Sequence, residues 1–236
     1  MQPPNFSAPD LLQHMAQRLL RVAYQQLYTS FAWSYDAVAA AVSAGEWQVW
    51  GRAVLAFIDP PRDGQRVLEL AHGPGHVQLA LRQRGYAALG LDLSAQMSAL
   101  AARRLHWAGY TPALLRASVF HLPFPADTFD ALISTFPTEF IAAPLMAAEA
   151  WRVLRAGGRL VVVPTAIAQR ADPLTRAVNA LQRGGSRTAS RPAALMPHAP
   201  EVLAQAGFAF REHQVPTPRA QVIVWVFECE KPKTGD

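Results

Sequence analysis

The stretch RVLELAHGPGHVQLALRQRGYAALGLDL, residues 66–93, decides the fold. It opens with a short apolar strand, RVLELA, and turns on Gly73 and Gly75. It continues as the helix HVQLALRQRG, ending at Gly85, and enters a second apolar strand, YAALGLDL. Short apolar runs suit strands buried on both faces, and the strand–helix–strand order suits a parallel pair with the helix as crossover. Glycine supplies the backbone freedom of a sharp strand-to-helix turn. It also lets a ligand approach the free N–H groups of the helix N-terminus.

The same rhythm runs downstream. SAQMSALAARRLHWAG, residues 94–109, reads as a helix with Ser94 as N-cap and Gly109 as stop. PALLRAS and DALISTF read as the third and fourth strands, TEFIAAPLMAAEAWRVL as a helix and RLVVVP as the fifth strand. Gly157 and Gly158 are expected to stop that helix and turn the chain into the fifth strand. Further on come a helix near residues 174–181, a flexible stretch to His198 and the helix APEVLAQAGF. Two strands close the chain, FAFREHQVP and AQVIVWVFECE, and the short Pro-containing turn between them makes them antiparallel. The expected fold is α/β: a Rossmann-like, doubly wound sheet of seven strands with a C-terminal antiparallel pair, preceded by N-terminal helices.

Those helices occupy residues 1–60. Leu11, Met15, Leu19 and Leu20 make a helical stripe, a second segment starts near Phe31, and a third near Trp47. Asp59-Pro60-Pro61-Arg62-Asp63-Gly64 ends the helical pattern. Residues 1–60 are therefore read as a segment covering the ligand site, and 61–236 as the sheet domain.

Half of the 236 residues are hydrophobic and 17% are charged, which suits a globular chain with a proper core. No apolar run reaches the roughly 18–20 residues of a membrane span, and the N-terminus does not read as a secretory signal, so a cytoplasmic protein without a transmembrane segment is expected. The single cysteine, Cys229, forbids an internal disulfide or a cysteine zinc cluster; it is expected to be buried, and no metal site is expected. The net charge of +5 comes mainly from arginines spread along the chain. Nucleic acid is disfavoured as partner, because its binders cluster their charge. The densest group, Arg183, Arg187 and Arg191, lies in a Gly/Ser/Pro-rich loop, residues 183–198.

The candidate site starts at Glu69, within the first strand and just before the turn. A dinucleotide fingerprint needs a third glycine where Gln78 stands, which disfavours NAD and FAD. Asp92, at the end of the second strand, can accept both ribose hydroxyls of an adenosine ligand. It can equally serve as a first-turn acid for the following helix.

Two further stretches, RASVFHLPFPADTFDALIST at 116–135 and EAWRVLRAGGRLVVV at 149–163, resemble class I S-adenosylmethionine-dependent methyltransferases of the type 11 domain. FAWSYDAVAAAVSAGEWQVW, residues 31–50, is similar to the entry segment of the C-methyltransferases of ubiquinone and menaquinone biosynthesis. Tyr35-Asp36, Ser43, Gly45 and Trp50 fall at matching spacing, and Ala71 matches that subfamily as well. The resemblance implies S-adenosylmethionine as cofactor, with S-adenosylhomocysteine as product. It implies cofactor contacts from Tyr35, Glu69, Ala71, Gly73, Pro74, Gly75, Asp92, Leu93 and Thr135, with Ser118 and Val119 bracketing the adenine. It also implies a small-molecule acceptor, aromatic or lipid-like. In one place the chain departs from the quinone enzymes: they carry an arginine where Glu139 stands, and a carboxylate cannot stabilise an anionic acceptor. Glu139 is either a base, a binder of a cationic acceptor, or a first-turn helix acid. No catalytic residue is assigned; His72, His76, His121 and Glu139 are the candidates. The rivals are an RNA or protein methyltransferase, a nucleotide-binding module without transfer activity, and an NAD-dependent oxidoreductase. Acceptor choice is expected to reside in the N-terminal helices and the 183–198 loop.

Overall fold

A computed structural model describes residues 46–168, 196 and 198–232. The described chain opens with helix α1 (Trp47–Gly51) and a 3₁₀ turn (Arg52–Ala56). Then follow β1 (Val67–Leu70), α2 (His76–Gln83), β2 (Ala88–Asp92), α3 (Ala95–Trp107), β3 (Leu114–Arg116) and β4 (Phe129–Thr135). A second 3₁₀ turn (Glu139–Ala142) leads to α4 (Pro144–Val153), β5 (Leu154–Ala168), α5 (Ala199–Gln205), β6 (Phe208–Pro216) and β7 (Ala220–Cys229).

The seven strands form one sheet in the order β3-β2-β1-β4-β5-β7-β6. β1 to β5 are parallel and β7 enters antiparallel between β5 and β6. This is the expected Rossmann-like sheet with its antiparallel end. Every residue of β1 is buried, as a central parallel strand requires. The strand order reverses between β1 and β4, and ligands of open parallel sheets bind at such a switch point, beyond the carboxyl ends of the strands.

Two cores cover the sheet. One face buries Leu68, Leu70, Phe129, Met146, Leu160, Trp225 and Phe227 under α4 and α5. The other buries Val67, Ala131, Val161, Val163 and Val224 under α2 and the first 3₁₀ turn, which contributes Val54 and Leu55. Burying such a side chain contributes about 1.5–3 kcal/mol, so residues 52–58 are fixed on the sheet by packing. Cys229 is buried as expected, and burial pushes its thiol pKa up.

Two expectations need correction. The segment 138–154 is not one helix, because Pro144 occupies a first-turn position, where its missing N–H costs nothing, and starts α4 afresh after the 3₁₀ turn. Gly157 and Gly158 do not stop that helix, which ends at Val153. Gly157, at φ 73°, instead bends the chain inside β5, where the pairing with β4 shifts register. The expected helix at 174–181, the helices before Trp47 and nearly all of the 183–198 loop lie outside the described residues.

Candidate functional site

Three left-handed residues shape the turn after β1: Ala71 at φ 54°, Gly73 at 53° and Gly75 at 81°. The left-handed conformation costs an L-residue roughly 1–2 kcal/mol, so Ala71 is a strained position. The turn is held by His72 N–H on the Leu91 carbonyl at 3.2 Å and Gly75 N–H on the His72 carbonyl at 3.1 Å. Arg104 of α3 donates to the Pro74 carbonyl. The two glycines differ in surroundings. A Cβ on Gly75 would lie 2.6 Å from Ala101 Cβ, because the turn is pressed onto α3. Among the described residues, a Cβ on Gly73 would meet nothing within 4 Å. Space for a ligand therefore opens over Gly73.

Asp92 stands beside that space. Its Oδ2 accepts from Gly73 N–H at 2.9 Å and its Oδ1 from Ser94 N–H at 2.8 Å. The carboxylate thus ties the turn to the start of α3, while each oxygen keeps a lone pair for another donor. Ser94 caps α3, its Oγ accepting from Met97 N–H at 3.3 Å. Leu93, next to Asp92, is 67% exposed.

Behind the turn lies a buried polar cluster. Glu69 pairs in register with Gly90 of β2 and is 1% exposed. Gln78 of α2 hydrogen-bonds its carboxyl group, and its Oε2 has no partner. Burial pushes its pKa up to about 8, with the negative charge of Asp92 adding to the effect. His72 packs alongside. Its Nδ1, 2.7 Å from the Gly73 carbonyl, is the donor, which leaves Nε2 as a partnerless acceptor. Burial lowers the His72 pKa, against the pull of Asp92, and keeps the ring neutral. A Cβ on Gly90 would lie 2.7 Å from Leu114, 2.9 Å from His72 and 3.1 Å from Gln78, so these three side chains close over a glycine. Gln78 fills the place of the third fingerprint glycine, yet α2 still packs closely on the sheet, with Gln78 Nε2 donating to the Leu89 carbonyl at 3.0 Å.

The remaining candidates surround this centre. Ser118 Oγ accepts from Phe120 N–H at 3.2 Å and turns the loop after β3, while Val119 packs on the core. Sequence reasoning missed what holds this loop. Glu149 Oε2 accepts from Leu122 N–H at 2.6 Å, and Arg152 donates to the Leu122 and Phe124 carbonyls at 2.8 and 2.7 Å while pairing with Glu149 at 2.7 Å. The signal was the Glu–Arg pair at i and i+3 on α4, within the segment read only as a helix end. Thr135 closes β4, and the adjacent Ser134 hydroxyl donates to the Leu70 carbonyl at 3.1 Å, tying β4 to the end of β1. Phe136 follows at φ 50°. Its ring lies 6.2 Å from Trp47, which meets His76 edge-on at 5.1 Å. This aromatic wall stands where α1 meets the start of α2 and the end of β4. His121 and Glu139 are exposed, Glu139 in the first turn of its 3₁₀ segment. Tyr35 lies outside the described residues. Among the described residues, no cluster of three or more His, Cys, Asp or Glu is placed to hold a metal. Nor is any described helix long and apolar enough to cross a membrane.

Residues 68–162 match the methyltransferase domain family. The chain is 35% identical over 136 residues to a ubiquinone/menaquinone biosynthesis C-methyltransferase of Sinorhizobium fredii, covering 55% of this chain and 53% of that protein. It is 34% identical over 142 residues to a demethylmenaquinone methyltransferase of Thermus thermophilus, covering 58% and 63%. The match thus spans about half to two thirds of these relatives' length. Among solved structures, the fold is similar to an S-adenosyl-L-methionine-dependent methyltransferase homologue from Methanococcus maripaludis, at TM-score 0.61 and 14% identity over 88% of this chain and 96% of that one. It is also similar to the geranyl diphosphate C-methyltransferase of Streptomyces coelicolor, at TM-score 0.54 and 14% identity over 77% and 78%.

Proposed function

We propose that this chain, which carries a methyltransferase domain over residues 68–162, transfers the methyl group of S-adenosylmethionine to a small apolar or aromatic acceptor. The observation that carries the reading is Asp92, bonded to both the turn and α3 beside the open face of Gly73. A carboxylate held by two N–H groups, with lone pairs to spare, suits the vicinal hydroxyls of an adenosine. Ser118 and Val119 flank the adenine, and Leu93 loses its exposure against it. The open face of Gly73 takes the amino-acid end, with Glu69 behind the turn.

The bound cofactor supplies an activated methyl group on a sulfonium, ready for in-line displacement. The chain's task is to orient the acceptor and exclude water. Trp47, His76 and Phe136 form the wall against which an aromatic or prenylated acceptor would lie. The relatives' names point to quinone biosynthesis, which suits such a wall. Glu139, exposed at the 3₁₀ turn after β4, offers a carboxylate there and not a cation, and acceptor choice follows the apolar wall. Residues 1–60 are assigned the covering role over the site.

Titration calorimetry with S-adenosylmethionine, S-adenosylhomocysteine and NAD tests the cofactor. Saturable binding of the two sulfur nucleotides and none of NAD is expected; silence from both up to millimolar concentration would end the reading. Transfer of labelled methyl to a naphthohydroquinone with a free ring position then tests the acceptor class.

A further inference from the structure

We propose that Glu69 is a proton-linked positioning residue: neutral in the empty site, it releases its proton when the ammonium group of the cofactor's amino-acid tail arrives. This rests on the cofactor reading above. A carboxyl group with 1% exposure and one partnerless oxygen cannot keep its charge without a cation nearby. Among the described residues that face it there is no such cation. From β2 the facing groups are Gly90, without a side chain, and Asp92, which is repulsive. From the turn comes His72, neutral through burial. The neighbour in register on β4 is Ile133. From α3, Arg104 is directed to the Pro74 carbonyl. From α2 comes Gln78, an amide that bonds a carboxylate through its N–H and a carboxylic acid through its carbonyl. Here its bond favours the carboxylate, but by less than burial disfavours it, and Nε2 also donates to the Leu89 carbonyl. The pKa near 8 agrees with this geometry.

An incoming ammonium changes the balance. It offers the missing opposite charge, so Glu69 ionises and its proton passes to the buffer. Below the free-site pKa, binding then weakens about tenfold for each unit of acidification. The amino-acid tail is thereby read as a cation, and a nucleoside without that tail engages only Asp92.

The test is calorimetry of S-adenosylhomocysteine binding to the whole chain at pH 7, in two buffers of different ionisation enthalpy. Close to one proton released per ligand is expected, with the dissociation constant rising about tenfold from pH 7 to pH 6. 5′-Methylthioadenosine, which lacks the amino-acid tail, is expected to bind without proton release. Glu69→Gln is expected to remove both the release and the pH slope. The comparison of the two nucleosides gives the answer on the unaltered protein should that variant not fold. Binding of S-adenosylhomocysteine with no proton release, or equal release by both nucleosides, overturns the inference and leaves the cofactor reading standing. No binding by either overturns the cofactor reading itself.

Discussion

Gly73 and Gly75 sit two residues apart in the same turn, both left-handed, and predict opposite outcomes when replaced by alanine. At Gly75 the added methyl would lie 2.6 Å from Ala101 Cβ and 2.9 Å from Ala101 Cα, and helix backbone cannot yield as a flexible side chain does. Left-handed strain of about 1–2 kcal/mol adds to an overpacking cost of about 1–3 kcal/mol. The sum, about 2–5 kcal/mol, is a large share of the 5–15 kcal/mol typical of a domain. At roughly 2–4 °C per kcal/mol for a chain of this size, Gly75→Ala should lower the melting temperature by about 4–20 °C. Gly73→Ala meets nothing within 4 Å among the described residues and carries only the strain, about 2–8 °C. Its methyl instead enters the ligand space, so it should weaken S-adenosylhomocysteine binding at least about tenfold, or about 1.4 kcal/mol. Scanning calorimetry and ligand titration on both variants make the check. A Gly75→Ala protein that melts with the wild type, or a Gly73→Ala protein that binds ligand unchanged, would refute the reasoning.

Other variants probe the remaining parts. Asp92→Ala removes two charge-assisted hydrogen bonds and the ribose acceptor, so titration should show affinity lower by more than about tenfold. Glu69 is an acid whose pKa in the fold, about 8, stands above its ordinary 4.5, so the folded state holds its proton more tightly. Its stabilising contribution is complete below the ordinary value and is lost as pH rises through about 8. Thermal unfolding of the ligand-free protein should register that loss, and Glu69→Gln should remove it. Arg152→Met frees the loop from Ser118 to Phe124, and urea denaturation should show roughly 1–3 kcal/mol of lost stability, together with weaker cofactor binding. Trp47→Ala should raise KM for a hydroquinone acceptor while leaving cofactor affinity unchanged, as steady-state kinetics and titration will show.

The sheet was legible because its strands are short apolar runs bounded by glycine, proline or a cap. β6 spans the nine residues read as FAFREHQVP, and Ser94 and Gly109 bracket α3 as their chemistry demands. The break at Pro144 was missed because the apolar spacing runs unbroken from Phe140 into α4, and only the proline marks the new start. At the site, the turn and Asp92 were readable from their place in the alternation of strand and helix. Long-range relations were not. The close packing of His72 and Gln78 beside Glu69 depends on Gly90, a residue of another strand that leaves room for both side chains. The clamp from Glu149 and Arg152 onto Leu122 spans 27 to 30 residues, and the meeting of Trp47 with His76 and Phe136 depends on how α1 meets the start of α2 and the end of β4. Each is a fact of packing that no local pattern encodes.

The central claim is that an adenosine cofactor lies over Gly73 with its ribose on Asp92. A crystal structure of the chain grown with S-adenosylhomocysteine tests it most directly. The account predicts ligand density above the turn, both ribose hydroxyls within hydrogen-bond distance of the Asp92 carboxylate, and the adenine between Leu93 and Val119. Density elsewhere on the protein, or a ribose turned away from Asp92, would contradict it.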